Sequence, residues 1–108
     1  MIQRHWTAQA HPEAADDYER FLETQTFVEL ARLEGFLNGT ILRAERGGAV
    51  VFRVITEWES LEAVRAFAGD DIERAVVPRD VQRMLARYDQ KVVHYEVRLR
   101  VGRETERV

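Results

Sequence analysis

The segment Trp58-Glu59-Ser60-Leu61-Glu62-Ala63-Val64-Arg65-Ala66-Phe67-Ala68-Gly69-Asp70 constrains the fold more than any other part of the chain. In the run that leads into it, residues 49–58, Val50, Phe52, Val54 and Trp58 share one parity, with Thr56 the one polar member. Val51, Arg53, Ile55 and Glu57 share the other, and such alternation describes a strand with one buried face. Ser60 can cap a helix through its hydroxyl, Leu61, Val64, Phe67 and Ala68 recur at helical spacing, and Gly69 suits the helix end. A strand therefore passes directly into a helix. Trp58 stands at the joint, beside the space a sheet leaves beneath its helical cover.

Residues 2–10 also read as a half-buried strand, with Ile2, Trp6 and Ala8 on one parity and Gln3, His5 and Thr7 on the other. Pro12 opens a helix, with Glu13, Asp16 and Asp17 near its positive end. Its apolar stripe (Ala15, Tyr18, Phe21, Leu22) shifts around Thr26 to Phe27, Leu30, Ala31 and Leu33, which predicts a kink or a second short helix before Gly35. Residues 36–46 form a second strand, joined to residues 49–58 by Gly47-Gly48, a pair that supplies the positive φ angles of a tight hairpin. Beyond Gly69, Asp70 to Glu73 resemble a capped helix start that Pro78 interrupts. Val81, Met84, Leu85 and Tyr88 predict a last short helix, and residues 91–101 a fourth strand. In that strand Val93, Tyr95, Val97 and Leu99 alternate with His94, Glu96, Arg98 and Arg100.

The order β-α-β-β-α-β predicts an α+β, ferredoxin-like domain over residues 1–101, a four-stranded antiparallel sheet with helices on one face. Residues 102–108 read as a polar tail. The helix-free face would carry His5, Thr7, Arg43 or its neighbour Leu42, Val51, Arg53, Ile55, Glu57, His94, Glu96 and Arg98. A surface half apolar and half charged suits burial against the same face of a second copy, so a homodimer through the open sheet is expected.

Composition narrows the function. With 108 residues, 45% hydrophobic and 32% charged, the chain has the makeup of one ordinary globular domain. Neither a secretion signal nor an apolar run of about 20 residues is present, so a cytoplasmic location and no membrane contact are expected. The absence of cysteine excludes disulfides and thiol chemistry. A net charge of −3, with both signs interleaved, lacks the basic face of a nucleic-acid binder. No metal site is expected, because Asp70 and Asp71 lack further ligands at sensible spacing.

Five pieces together, Leu33-Glu34-Gly35-Phe36, Thr56-Glu57-Trp58-Glu59-Ser60, Ala66-Phe67-Ala68-Gly69-Asp70, Ala75-Val76-Val77-Pro78 and His94-Tyr95-Glu96-Val97, make residues 14–97 resemble the antibiotic biosynthesis monooxygenase superfamily. The resemblance implies a homodimeric α+β barrel with a pocket between helices and sheet in each protomer. It also implies oxidation of polycyclic aromatic compounds by dioxygen with no flavin or metal cofactor, the deprotonated substrate itself reducing the oxygen. Trp58 matches the family tryptophan at the end of strand three. Where the polyketide oxygenases carry an asparagine and a tyrosine, this chain has Val54 and Val64. Where the haem-degrading branch carries a histidine, it has Ala66, Phe67 and Ala68, which argues against haem cleavage.

On this reading Trp58, Tyr95, Trp6, Tyr18, Phe52 and Phe67 would form an aromatic substrate pocket. His94 is the titratable candidate for a catalytic base. An unbroken alternation, however, points His94 away from Tyr95 and toward the dimer seam, near His5, Arg53 or Glu57. A cofactor-independent monooxygenase for a small aromatic or quinol-like compound is the leading expectation. A non-catalytic small-molecule-binding dimer is the alternative, and a proton-transfer enzyme using His94 would need a bulge to turn that residue inward.

Overall fold

The computed structural model describes residues 1–103. Three long strands, β1 (Ile2–Ala10), β2 (Phe36–Arg46) and β3 (Ala49–Trp58), form an antiparallel sheet with β1 in its interior. The turn between β2 and β3 has φ of 57° at Gly47 and 83° at Gly48, as the glycine pair requires. Even-numbered residues of β1 and β3 face the helices, which is why Ala8, Ala10, Val50, Phe52, Thr56 and Trp58 are buried.

A single helical arm covers this face. It begins as a 3₁₀ turn at Pro12–Ala14 and continues as α1 (Ala15–Phe21), a π turn (Leu22–Thr26) and α2 (Phe27–Leu30). A π turn takes one residue more than an α turn, so the buried stripe rotates by roughly 100°. That rotation is the shift seen in the sequence near Thr26: Tyr18 and Leu22 point inward before it, Leu30 after it. Helix α3 (Leu61–Ala68) starts where the Ser60 hydroxyl accepts the Ala63 N–H at 3.2 Å, and stops at Gly69, whose φ is 79°. Val64 on its inner face is fully buried against Trp58.

The chain beyond Gly69 departs from expectation. Residues 70–77 are not helical. Ala75 N–H donates to Gln90 O, Val92 N–H to Glu73 O, and Arg74 bridges to Lys91, so these peptide groups find partners across the fold rather than within a helix. The expected last helix shrinks to α4 (Arg79–Gln82), and Leu85–Tyr88 is instead a strand, β4. The apolar spacing of Val81, Leu85 and Tyr88 fits either form. Pairing decides it, because β4 satisfies the open edge of β1 at Ala8–Ala10. The strand expected at 91–101 is confined to β5 (Val93–Glu96), which pairs with Ile2–His5. The sheet thus has five strands rather than four, the fourth position being shared end to end by β4 and β5 along β1.

The side allotted to β5 is also reversed. Antiparallel partners share a face, and β5 sets His94 opposite Arg4 and Tyr95 opposite Gln3. His94 is therefore on the helix-covered face, whereas Tyr95 lies on the bare one, edge-on to His5 at 4.8 Å. The apolar alternation of Val93 and Tyr95 marks a face that is half exposed in the protomer, at 53% and 50%, and not the core. Leu42, rather than Arg43, shares this face, opposite Arg53. Glu57 is buried there. Burial raises its carboxyl, but hydrogen bonds from Gln3, Arg100 and Asn38, with the charge of Arg100, outweigh that and hold it below its ordinary value. Of the tail expected at 102–108, residues 104–108 lie outside the described residues.

Candidate active site

Between the sheet and its helical cover lies a cavity of about 480 Å³. Its floor is Arg4, Trp6, Val54 and Thr56 from the two inner strands. The helical arm supplies Tyr18, Leu22, Gln25 and Leu30, α3 supplies Ala66 and Phe67, and Val76, Val77 and Pro78 close the far side. The size and the apolar walls with few polar groups are those of a small-molecule site. The π turn contributes directly, since Leu22, Gln25 and Thr26 all lie within it and all line the cavity.

Of the aromatic residues expected at the site, Trp6, Tyr18 and Phe67 line the cavity. Trp6 is fixed by donating its indole N–H to Asp89 O at 2.7 Å and by contact with Tyr88 at 6.1 Å. Tyr18 meets Phe52 edge-on at 5.1 Å, and burial pushes its phenol well above the ordinary value, so it is protonated at neutral pH. Phe52 and Trp58 do not reach the cavity; both are 0% exposed and stand behind its wall. Trp58 stacks on Phe67 at 6.1 Å with the rings 23° from parallel, and donates its N–H to the Thr56 hydroxyl at 2.9 Å. It therefore sets the position of the residue that does line the space. Tyr95, on the opposite face of the sheet, is not part of this wall.

The sequence reading passed over Arg4, although it stands on the apolar parity of β1 between Ile2 and Trp6. It is 4% exposed and lines the cavity. Its Nη1 donates to Ile72 O and lies 3.1 Å from His94 Nε2, Nη2 donates to Arg74 O at 3.0 Å, and the guanidinium lies over the Phe67 ring at 5.6 Å. Burial lowers its pKa to about 10, so it keeps its charge at neutral pH. His94 in turn is held below its ordinary value by burial and by the Arg4 charge, which outweigh the opposing effect of Glu73. A neutral His94 with its Nε2 lone pair turned to Arg4 is the consistent tautomer. His94 itself is not among the lining residues. The signal that could have found Arg4, and Thr56 with it, is a polar residue on an otherwise apolar parity. Among the described residues no cluster of three or more histidine, cysteine, aspartate or glutamate side chains is arranged to hold a metal ion. No described helix is long and apolar enough to cross a membrane.

A family model described as antibiotic biosynthesis monooxygenase matches residues 1–78. Among solved structures, the haem-degrader MhuD of Mycobacterium tuberculosis, with two haems bound in its active site, is 28% identical; the match covers 94% of this chain and 100% of that one, at a TM-score of 0.61. The monooxygenase from the ActVA-Orf6 gene of Streptomyces coelicolor, in complex with nanaomycin D, is 20% identical over 94% and 90% of the two chains, at a TM-score of 0.62. A conserved protein of Methanosarcina mazei matches at 12% identity over 90% and 92%, with a TM-score of 0.65. The last two share the fold. Comparison with curated protein sequences gave no match.

Proposed function

The chain belongs to the antibiotic biosynthesis monooxygenase family, and from that premise we propose that it oxidises a small aromatic or quinol-like compound with dioxygen, using no flavin or metal of its own. The observation that carries this reading is the cavity of about 480 Å³ walled by Trp6, Tyr18 and Phe67. Flat rings stack favourably on such walls. In the reaction the bound substrate loses a proton and its anion passes an electron to dioxygen. The radical pair joins as a peroxide, and loss of water leaves the ketone or quinone. For an anthrone, one substrate and one dioxygen give one quinone and one water. The protein's part is to orient the ring, exclude bulk water and favour the anion.

Haem suits this cavity less well. Among the described residues no histidine lines it to serve as an axial ligand. Oxygen-electrode assays without added flavin, across a panel of hydroquinones and anthrones, test the proposal. Uptake with equimolar quinone is expected, and Phe67→Ala should slow it about 10- to 100-fold by loosening the ring's position. Folded protein that never exceeds the uncatalysed rate would rule the oxygenase out. Ligand-induced thermal shifts without turnover would then establish a binding module instead.

The bare sheet face supports a second part of the reading, association of two copies. Leu42, Val51, Ile55, Val93 and Tyr95 lie there among Gln3, His5 and Arg53. His5 Nδ1 is buried without a hydrogen-bond partner in the protomer, as a seam residue would be before its partner arrives. Sedimentation should show a dimer at micromolar concentration, and Tyr95→Glu should shift it to monomer at least tenfold more readily. A wild-type protein that is monomeric at every concentration would sink this reading.

A further inference from the structure

We propose that the cavity selects an aromatic ligand that carries a negatively charged oxygen, an aromatic carboxylate or an ionised phenol, and that Arg4 is the residue that recognises it. This inference rests on the aromatic-cavity reading above and adds a charge requirement to it.

Arg4 differs from the arginines that form ion pairs. Arg43 takes both Asp16 and Glu19, Arg20 takes Asp17, Arg98 takes Glu96, and Arg100 takes Glu57. Arg4 is the one buried arginine among the described residues, and no described carboxylate lies within ion-pair distance of it. All its partners are neutral: two peptide carbonyls, an imidazole lone pair and the face of a phenyl ring. They hold the guanidinium in place and spread its charge, but they do not cancel it. A buried cation without a counter-ion is costly, and an anion in the adjoining space would offset that cost.

The donor count agrees. A guanidinium has five N–H groups. Both on Nη1 are used, by Ile72 O and His94 Nε2, and one on Nη2 is used by Arg74 O. The Nε hydrogen and one Nη2 hydrogen have no partner among the described residues. Two donors on one planar fork match the two oxygens of a carboxylate, or serve a single phenolate oxygen. Phe67, which both stacks under the guanidinium and lines the cavity, would place an aromatic ring next to that charge. The other charged lining residue, Glu29, is exposed, so water screens its opposing charge.

The rival account makes Arg4 a purely structural tether that fastens residues 72–74 to the sheet. Ligand charge separates the two accounts in the wild-type protein, whether or not an Arg4 variant folds. Calorimetric titration, cross-checked by quenching of tryptophan emission, would compare 2-naphthoate, its neutral amide and a nitronaphthol ionised at neutral pH. The anions should bind at least tenfold more tightly than the amide. The tighter of the two anions identifies carboxylate or phenolate as the natural group, and either order upholds the proposal. Arg4→Gln should reduce the preference for anion over amide below threefold. Glu29→Gln should raise the preference for anion over amide about two- to threefold. Equal affinities for anion and amide in the wild type would overturn the charge requirement while sparing the cavity reading. Parallel weakening of all ligands in Arg4→Gln would assign Arg4 to the tether and overturn its recognition role. Failure of every aromatic probe to bind folded protein would remove the cavity reading itself, and this inference with it.

Discussion

Replacing Trp58 with alanine should cost about 3–5 kcal/mol of folding stability, the range for truncating a fully buried large aromatic. The side chain is 0% exposed and touches Phe36 edge-on at 5.3 Å and Phe67 face-on at 6.1 Å. Its removal leaves a void between β3 and α3 and takes the indole donor from the buried Thr56 hydroxyl. Against a total stability of roughly 5–15 kcal/mol, that is a large fraction. For a domain of this length, a fall in Tm of more than about 10 °C follows. Chemical denaturation would measure it. A loss under about 1 kcal/mol would mean that Trp58 does not anchor the joint. Trp58→Phe, which keeps a ring against Phe67, should cost markedly less. Because Trp58 backs the cavity wall without entering it, its effect on turnover should come through the position of Phe67, and Trp58→Phe should keep most of it.

The second large effect is expected at Gly39, in the middle of β2. A Cβ built there would lie 2.0 Å from Cε1 of Phe27 and within 2.9 Å of two further ring atoms. Phe27 cannot yield easily, because it packs against both hydrophobic clusters, the one around Phe52 and the one around Trp58. Alanine in a strand interior normally gains about 0.5–1 kcal/mol over glycine. Here the forced displacement should reverse the sign and cost about 1–3 kcal/mol. A double-mutant cycle isolates the cause: with Phe27→Leu in place, Gly39→Ala should become nearly neutral. If the penalty persists unchanged, the ring is not what demands glycine. Gly47 and Gly48 have open space around them and are held to glycine by backbone angle alone.

Much of the first two-thirds of the fold was legible in the sequence because its signals are local. Strict alternation placed β3, the glycine pair placed its hairpin, and Ser60 placed the start of α3. Even the π turn showed itself as a slipped apolar stripe near Thr26. Residues 70–103 were less legible, since their conformation is decided by distant partners. Nothing local tells Ala75 that Gln90 will accept its N–H, or Leu85 that the edge of β1 is open at Ala10. The phase of β5 failed for a different reason. An apolar stripe marks a half-exposed sheet face as readily as a core, and Val93 and Tyr95 follow the bare face. At the site, an aromatic-first reading found Trp6, Tyr18 and Phe67 but missed the charge among them. Arg4 is conspicuous only once its parity on β1 is compared with that of Ala8 and Ala10.

The two short strands that share one slot along β1 also bear on solubility. An incoming β-segment needs a long, even row of open amides to add to a sheet, and this rim offers two four-residue stretches interrupted by Asp89–Val92. The far rim, β2, is eleven residues long, but its register slips between Phe36 and Asn38, and Arg43, Glu45 and Arg46 are set along its length. Both margins thus discourage runaway strand addition. Growth in the plane of the sheet is therefore poorly templated along either rim.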